Sequence, residues 1–178
     1  QLLQEGARRI DTELRGQPAV QAQLLDTIGT VYTGLGLYDE ARSMLQRALD
    51  QRRGLVPLDG KQLARNQVHL AHVLTEKMEL DAAQRLFAEA IAALEARGGD
   101  TPSRIELADA LSGLAELHFR AGRFSEAEPV LARVLEIRRN SLPPPRRQGD
   151  ATQGTPRDQE PASRAQRARR GREQVDAH

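Results

Sequence analysis

His69 and His72 are the residues whose type and spacing come nearest to metal chemistry in this chain. Three apart on a helix, two imidazoles share one face and could address one divalent ion. No third ligand of a suitable type stands nearby, so both are read as ordinary polar residues of a helix surface. His118 falls in a slot occupied elsewhere by Tyr32 and Leu74, which makes it a packed core histidine. Gly34-Leu35-Gly36 lacks a third spaced glycine and follows no strand, so it marks a turn and not a phosphate cradle. There is no cysteine to act as nucleophile or thiolate ligand. No serine sits in a nucleophile elbow, and the kinase signatures VAIK, HRD and DFG are absent. The chain is expected to be non-catalytic and to need no cofactor.

What positions these residues is a pattern that comes three times. The copies are LLDTIGTVYTGLGLYDEARSMLQRAL (24–49), QVHLAHVLTEKMELDAAQRLFAEAI (67–91) and LSGLAELHFRAGRFSEAEPVLARVL (111–135). Gly29, Ala71 and Ala115 share one slot, 42 and 44 residues apart, and a period of that size marks a solenoid. In the first copy Leu25, Ile28, Tyr32 and Leu35 recur at helical steps, the pattern breaks at Gly36, and it restarts as Ala41, Leu45, Ala48 and Leu49. Each copy therefore reads as two antiparallel helices, with small residues (Gly29 and Ala41, Ala71 and Ala83, Ala115 and Ala127) where they approach most closely. Aromatics are 3% and Trp is absent, so Leu, Ala, Val and Ile must build the core, as close helix packing allows.

The order Gly29, Tyr32, Gly36, Tyr38, Ala41, Leu45, Ala48 resembles the tetratricopeptide repeat, and the longer period, with linkers such as RRGLVPLDGKQLA, resembles its kinesin-light-chain type. The likeness covers roughly residues 1–140. The second copy departs from it, with Gln67 where a large apolar residue is usual and Met78 in place of the turn glycine. The expected fold is an all-α solenoid of about three and a half repeats: a half repeat over 1–16, then repeats over 19–53, 61–97 and 102–139. In the first full repeat the helices are expected near 19–35 and 38–53. Thr101 is expected to cap the helix beginning at Pro102, and Ser125 with Glu128 to form a capping box, leaving Pro129 near a first turn where its missing N–H costs little. Residues 141–178 are read as a disordered tail, because Val175 is the only large apolar residue between Pro143 and His178.

Charge adds little to the choice of partner. Residues 1–140 carry 18 basic and 20 acidic side chains, and 141–178 carry 8 and 5. Neither balance predicts strong electrostatic binding, and the Arg-rich tail has no aromatic residue for stacking bases, so nucleic acid is not the expected partner. No apolar run approaches the roughly 20 residues of a membrane span. The absence of cysteine fits a cytoplasmic setting, and the start at Gln1 is read as that of a fragment.

The remaining candidate is a surface. Stacked helix pairs curve, with first helices on the concave side. By register that side carries Gln23, Asp26, Thr27, Thr30 and Thr33; then Arg65, Val68, His69, His72, Thr75 and Glu76; then Asp109, Ser112, Glu116, Phe119 and Arg120. Of these, Gln23, Asp26, Thr27, Thr30, Arg65, His69, His72, Asp109, Ser112, Glu116 and Phe119 form the candidate groove for a protein or extended peptide. A second surface is the open end of the third repeat, where Val130, Val134 and Ile137 predict an apolar stripe and hence self-association. Finally, the run GARRIDTELRGQPAVQAQLLDTIGTVYTGLGLYDEA is similar to the segment opening the repeat region of bacterial eukaryote-like serine/threonine kinases, and 24 Arg to 2 Lys fits a GC-rich genome. That resemblance implies a signalling kinase with its catalytic domain upstream and this chain as its arm. A free-standing repeat adaptor, or the arm of a transcriptional regulator or ATPase, are the alternatives.

Overall fold

The computed structural model describes residues 5, 10, 12–97 and 101–141. They form six helices: α1 Pro18–Gly34, α2 Tyr38–Arg53, α3 Gly60–Glu76, α4 Leu80–Ala96, α5 Thr101–Arg120 and α6 Phe124–Ser141. Helices pair as α1/α2, α3/α4 and α5/α6, one pair for each sequence copy. Each starts where local chemistry allows. Pro18 opens α1, at a position whose N–H has no intrahelical partner anyway. Asp59 caps α3, its carboxylate accepting from the backbone N–H groups of Lys61 (3.0 Å) and Gln62 (3.2 Å).

The turn inside each pair is the same left-handed closure, at Gly36 (φ 72°), Met78 (φ 61°) and Gly122 (φ 72°). The N–H of Leu37 reaches the carbonyl of Tyr32 (3.0 Å), that of Glu79 reaches Leu74 (2.8 Å), and that of Arg123 reaches His118 (2.8 Å). Such a 6→1 bond satisfies a carbonyl that the helix end would leave unpaired. Met78 holds the glycine conformation with a side chain, at a cost of about 1 kcal/mol. The bond from Glu79 to Leu74 closes the turn with methionine, 58% exposed, in place of glycine.

Gln67, the other departure, is buried and donates through Nε2 to Glu89 Oε2 (2.6 Å), so its amide is satisfied. The start of α6 corrects an expectation. The helix begins at Phe124, with the N–H groups of Glu126 and Ala127 bonded to the Arg123 carbonyl, so Ser125 lies inside the first turn and cannot act as cap. Pro129 is then the sixth helical residue and forfeits the bond to the Ser125 carbonyl; both residues are exposed, which leaves that carbonyl to water. Thr101 begins α5 rather than preceding it.

The backbones of the first helices approach closely across repeats, α1 with α3 and α3 with α5, while α2, α4 and α6 stand farther apart and reach one another through long side chains, Arg53 to Glu89 (3.4 Å) and Arg133 to Glu95 (2.6 Å). The array therefore curves with the first helices inside. Ahead of α1, Glu5, Ile10, Thr12 and Glu13 are helical, and Ile10 is buried against Leu25 and Ala48, with Gln21 Nε2 donating to its carbonyl (3.1 Å). Leu14, Arg15 and Gly16 turn the chain into α1, with Leu14 packed beside Ile10; residues 1–4, 6–9 and 11 of the expected half repeat, and the expected tail beyond Ser141, lie outside the described residues.

Candidate functional site: the inner face of the first helices

Register alone placed Asp26 on the groove surface; the structure corrects this. Asp26 is 2% exposed, behind α3. Asn66 Nδ2 donates to its Oδ1 (2.9 Å), and so does His69 Nδ1 (3.0 Å), since an ionised carboxylate only accepts. Arg65 Nη2 lies 3.9 Å and Arg52 Nη2 4.0 Å from Oδ2, and both guanidinium groups also donate to Gln23 Oε1 (3.3 and 3.2 Å). Burial alone would raise the Asp26 pKa, but the hydrogen bond and charge of His69, the charge of Arg52 and the Asn66 bond together hold it below the ordinary value. A buried carboxylate thus orients the Arg65 and His69 side chains at the groove wall.

The other predicted residues divide by exposure. Gln23, Thr27, Thr30, Asp109, Glu116 and Phe119 are exposed, and Arg65, His69 and Ser112 are half-buried. Thr27 and Thr30 donate their hydroxyls to the carbonyls of Gln23 and Asp26 four residues back, leaving the oxygen lone pairs outward. Thr75 is buried, its hydroxyl bonded to the Ala71 carbonyl, and Val68 is 9% exposed. His72 turns its ring edge-on to Phe87, with centroids 5.2 Å apart, and burial lowers its pKa, so it is neutral near pH 7. With His69 on Asp26 and His72 on Phe87, the two rings have separate partners; among the described residues no three His, Asp or Glu side chains gather as a metal would require. His118 is buried, and burial first and Arg123 second lower its pKa.

Phe119 faces Phe124 across the turn, ring centroids 5.1 Å apart, so it belongs to the end of the array as much as to the groove. Beside the acidic residues of α5 stand cations: Arg138 Nη2 is 3.2 Å from Asp109 Oδ1, and Arg120 Nη2 and Nε are 2.6 and 3.1 Å from Glu76 and Glu116.

Between α3 and α5 lies a cleft of about 140 Å³ lined by Arg65, Val68, His69, Leu94, Glu106 and Asp109. Its floor is apolar (Val68, Leu94), one wall basic, the other acidic. Glu106 has an ion pair with Lys61 (3.3 Å), while its Oε2 is buried without a hydrogen-bond partner. Sequence reading missed Leu94 and Glu106 here, since they enter only when α4 and the start of α5 are placed beside α3, and with them Lys61, which the approach of Glu106 brings into the site. Asn66 did leave a signal: it is an amide in the slot that Leu24 and Ala110 fill elsewhere.

Comparison with known proteins follows the repeats. The family model described as tetratricopeptide repeat matches residues 20–96 and again 62–140. Among solved structures, the chain is similar to BtubC (BKLC) from P. vanneervenii, with a TM-score of 0.64 and 21% identity over 82% of this chain. The match spans 61% of that protein's chain. No match is found among curated proteins.

Proposed function

Because the chain belongs to the tetratricopeptide repeat family, we propose that it is a non-catalytic scaffold that holds a protein or extended peptide along its inner face. The observation that carries this is the cleft of opposed walls, Arg65 and His69 against Glu106 and Asp109, over the Val68–Leu94 floor. An extended peptide offers alternating side chains and unpaired backbone groups, which suit an apolar floor flanked by donors and acceptors. In this reading the chain is a docking arm of a bacterial serine/threonine kinase in signalling, working in the cytoplasm; the similarity of residues 6–41 to the opening of such arms supports that assignment. No helix among the described residues is long and apolar enough to cross a membrane. A scaffold of this kind also offers its open end to a second copy, so self-association is part of the reading.

Arg65→Ala combined with Asp109→Ala tests the groove, because both side chains are at least partly exposed and neither fills the core. Selection from a displayed peptide library should give binders to the wild-type chain whose affinity for the double variant falls at least about tenfold, with an unchanged helical circular-dichroism signal. Equal binding by the folded variant would remove the groove from the account. The coding sequence upstream of Gln1 decides the kinase assignment by the presence or absence of its catalytic motifs.

A further inference from the structure

The second helix of each repeat carries the same three apolar slots, and their fates differ. Leu45 and Leu49 on α2 and Phe87 on α4 are 0%, 1% and 0% exposed where the next repeat covers them, while Ile91 on α4, and Tyr38 and Leu80 at the starts of the two helices, are half-buried. On α6 the counterparts Phe124, Leu131 and Leu135 are 59%, 48% and 64% exposed, and Phe119 beside them is 64% exposed. The stripe expected at this end was the wrong one. Val134 is buried against Ala108 and Leu111, and Val130 and Ile137 pack around it, so those three residues hold α6 to α5. The free face lies along Phe124, Leu131 and Leu135 instead.

We infer that this face is the interface of a two-fold dimer in which α6 of one copy crosses α6 of a second copy in antiparallel sense. Three observations favour that occupant. Along one side of α6 stand Phe124, Glu128, Leu131, Leu135 and Arg138, at alternating steps of four and three. A two-fold axis between Leu131 and Leu135 sets Leu131 of each copy against Leu135 of the other, and Glu128 of each against Arg138 of the other. Such self-complementarity is what an isologous contact requires. Glu128 has no ion pair among the described residues, and Arg138 is exposed, its Nη2 on Asp109 and Ser112 and its other N–H groups able to take a second carboxylate.

Head-to-tail stacking, the alternative for a repeat array, meets an occupied site. At the first repeat Ile10 of the preceding segment already packs on Leu25 and Ala48, which is where an incoming second helix would lie. The segment beyond Leu142 is poorly suited to cover α6, having Val175 as its only large apolar side chain after Pro143. The four exposed side chains present roughly 400 Å² of apolar surface per copy, roughly 800 Å² for the pair, which is the size of a weak, transient contact that forms at high protein concentration.

The proposal extends the scaffold reading but does not depend on the groove, and its test involves no groove ligand. Sedimentation equilibrium of the 178-residue chain from micromolar to millimolar concentration should show a mass rising from 19.7 kDa and levelling at twice that value. Leu131→Asp with Leu135→Asp should leave a folded monomer. Glu128→Arg alone and Arg138→Glu alone should each weaken the dimer several-fold, and the two together should restore it. If the leucine pair proves too disruptive to fold, the charge-reversal series decides. A monomer throughout, a mass climbing past the dimer without levelling, a dimer indifferent to the leucine changes, loss of the dimer only on removal of residues 143–178, or no rescue in the reversed pair would each overturn the proposal.

Discussion

The junction between repeats one and two and the junction between repeats two and three occupy the same place in the array, yet at four matching buried or half-buried slots one is polar and the other apolar. At the first, Asp26, Arg52, Asn66 and His69 meet in a buried cluster. At the second, the same four slots hold Val68, Leu94, Ala110 and Gly113. The aliphatic Leu45 of the first junction becomes Phe87, whose ring fills the space left by Gly113: a Cβ at Gly113 would lie 2.6 Å from that ring and 2.7 Å from His72 Cε1. One helix geometry is thus satisfied by two chemistries. The ionic version leaves Arg52 Nε, Arg65 Nε and Asn66 Oδ1 buried without hydrogen-bond partners, and the second junction leaves Glu106 Oε2 so.

The largest expected effect comes from breaking the ionic junction one-sidedly. Asp26→Ala leaves Arg52, 5% exposed, without its counter-charge, and should cost about 3–5 kcal/mol in urea unfolding. Asp26→Val with Arg52→Leu and Asn66→Ala, which copies the second junction, should cost less than that single change. If the triple variant is the less stable, the two chemistries are not interchangeable.

Gly113→Ala probes the apolar junction. The added methyl group meets a ring held on all sides, and a cost of about 1–3 kcal/mol is expected. Phe87→Leu, which imitates Leu45, should lessen the penalty of Gly113→Ala when the two are combined. A thermal-unfolding cycle showing strict additivity would mean that ring and glycine are not matched.

The smallest effect is on pH dependence, and it separates the junctions. Burial lowers the pKa of His72, so the unfolded chain takes up a proton more readily than the folded one, and its contribution to stability is lost as pH falls below the ordinary histidine value of 6.5. Asp26 also has a lowered pKa, so its contribution is present above the ordinary carboxylate value of 3.8 and disappears only below it. His72→Phe should flatten the stability profile between pH 7 and 5, read by denaturant midpoints. An unchanged slope there would clear His72 of the role.

How much of this was legible beforehand depended on the kind of contact. The helix pairs, their turns and the small residues at close approaches were readable, because helical periodicity, glycine at a left-handed turn and the 42- and 44-residue spacing are properties of the chain itself. Register also singled out Gln23, Thr27, Thr30, Arg65, His69, Asp109 and Glu116 on the first helices, and each of them is exposed or half-buried. It could not tell Asp26 from Thr27, neighbours on one helix of which one is buried and one exposed. That distinction depends on which side of α1 is covered by α3, forty residues further on. The capping of α6 was misjudged for a related reason: a Ser-x-x-Glu run fits a cap only if the preceding turn ends one residue before it, and the closure at Gly122 ends earlier.

The sequence by itself determined an all-α repeat array and the members of each helix, since apolar periodicity and turn chemistry act over a few residues. Only the tertiary structure decided which polar groups are buried to join repeats and which side of α6 is left bare. Val134 and Leu135 are adjacent and similar in hydrophobicity, yet one is 4% and the other 64% exposed. Their difference comes from where α5 lies, and that is a property of the packed array rather than of either residue.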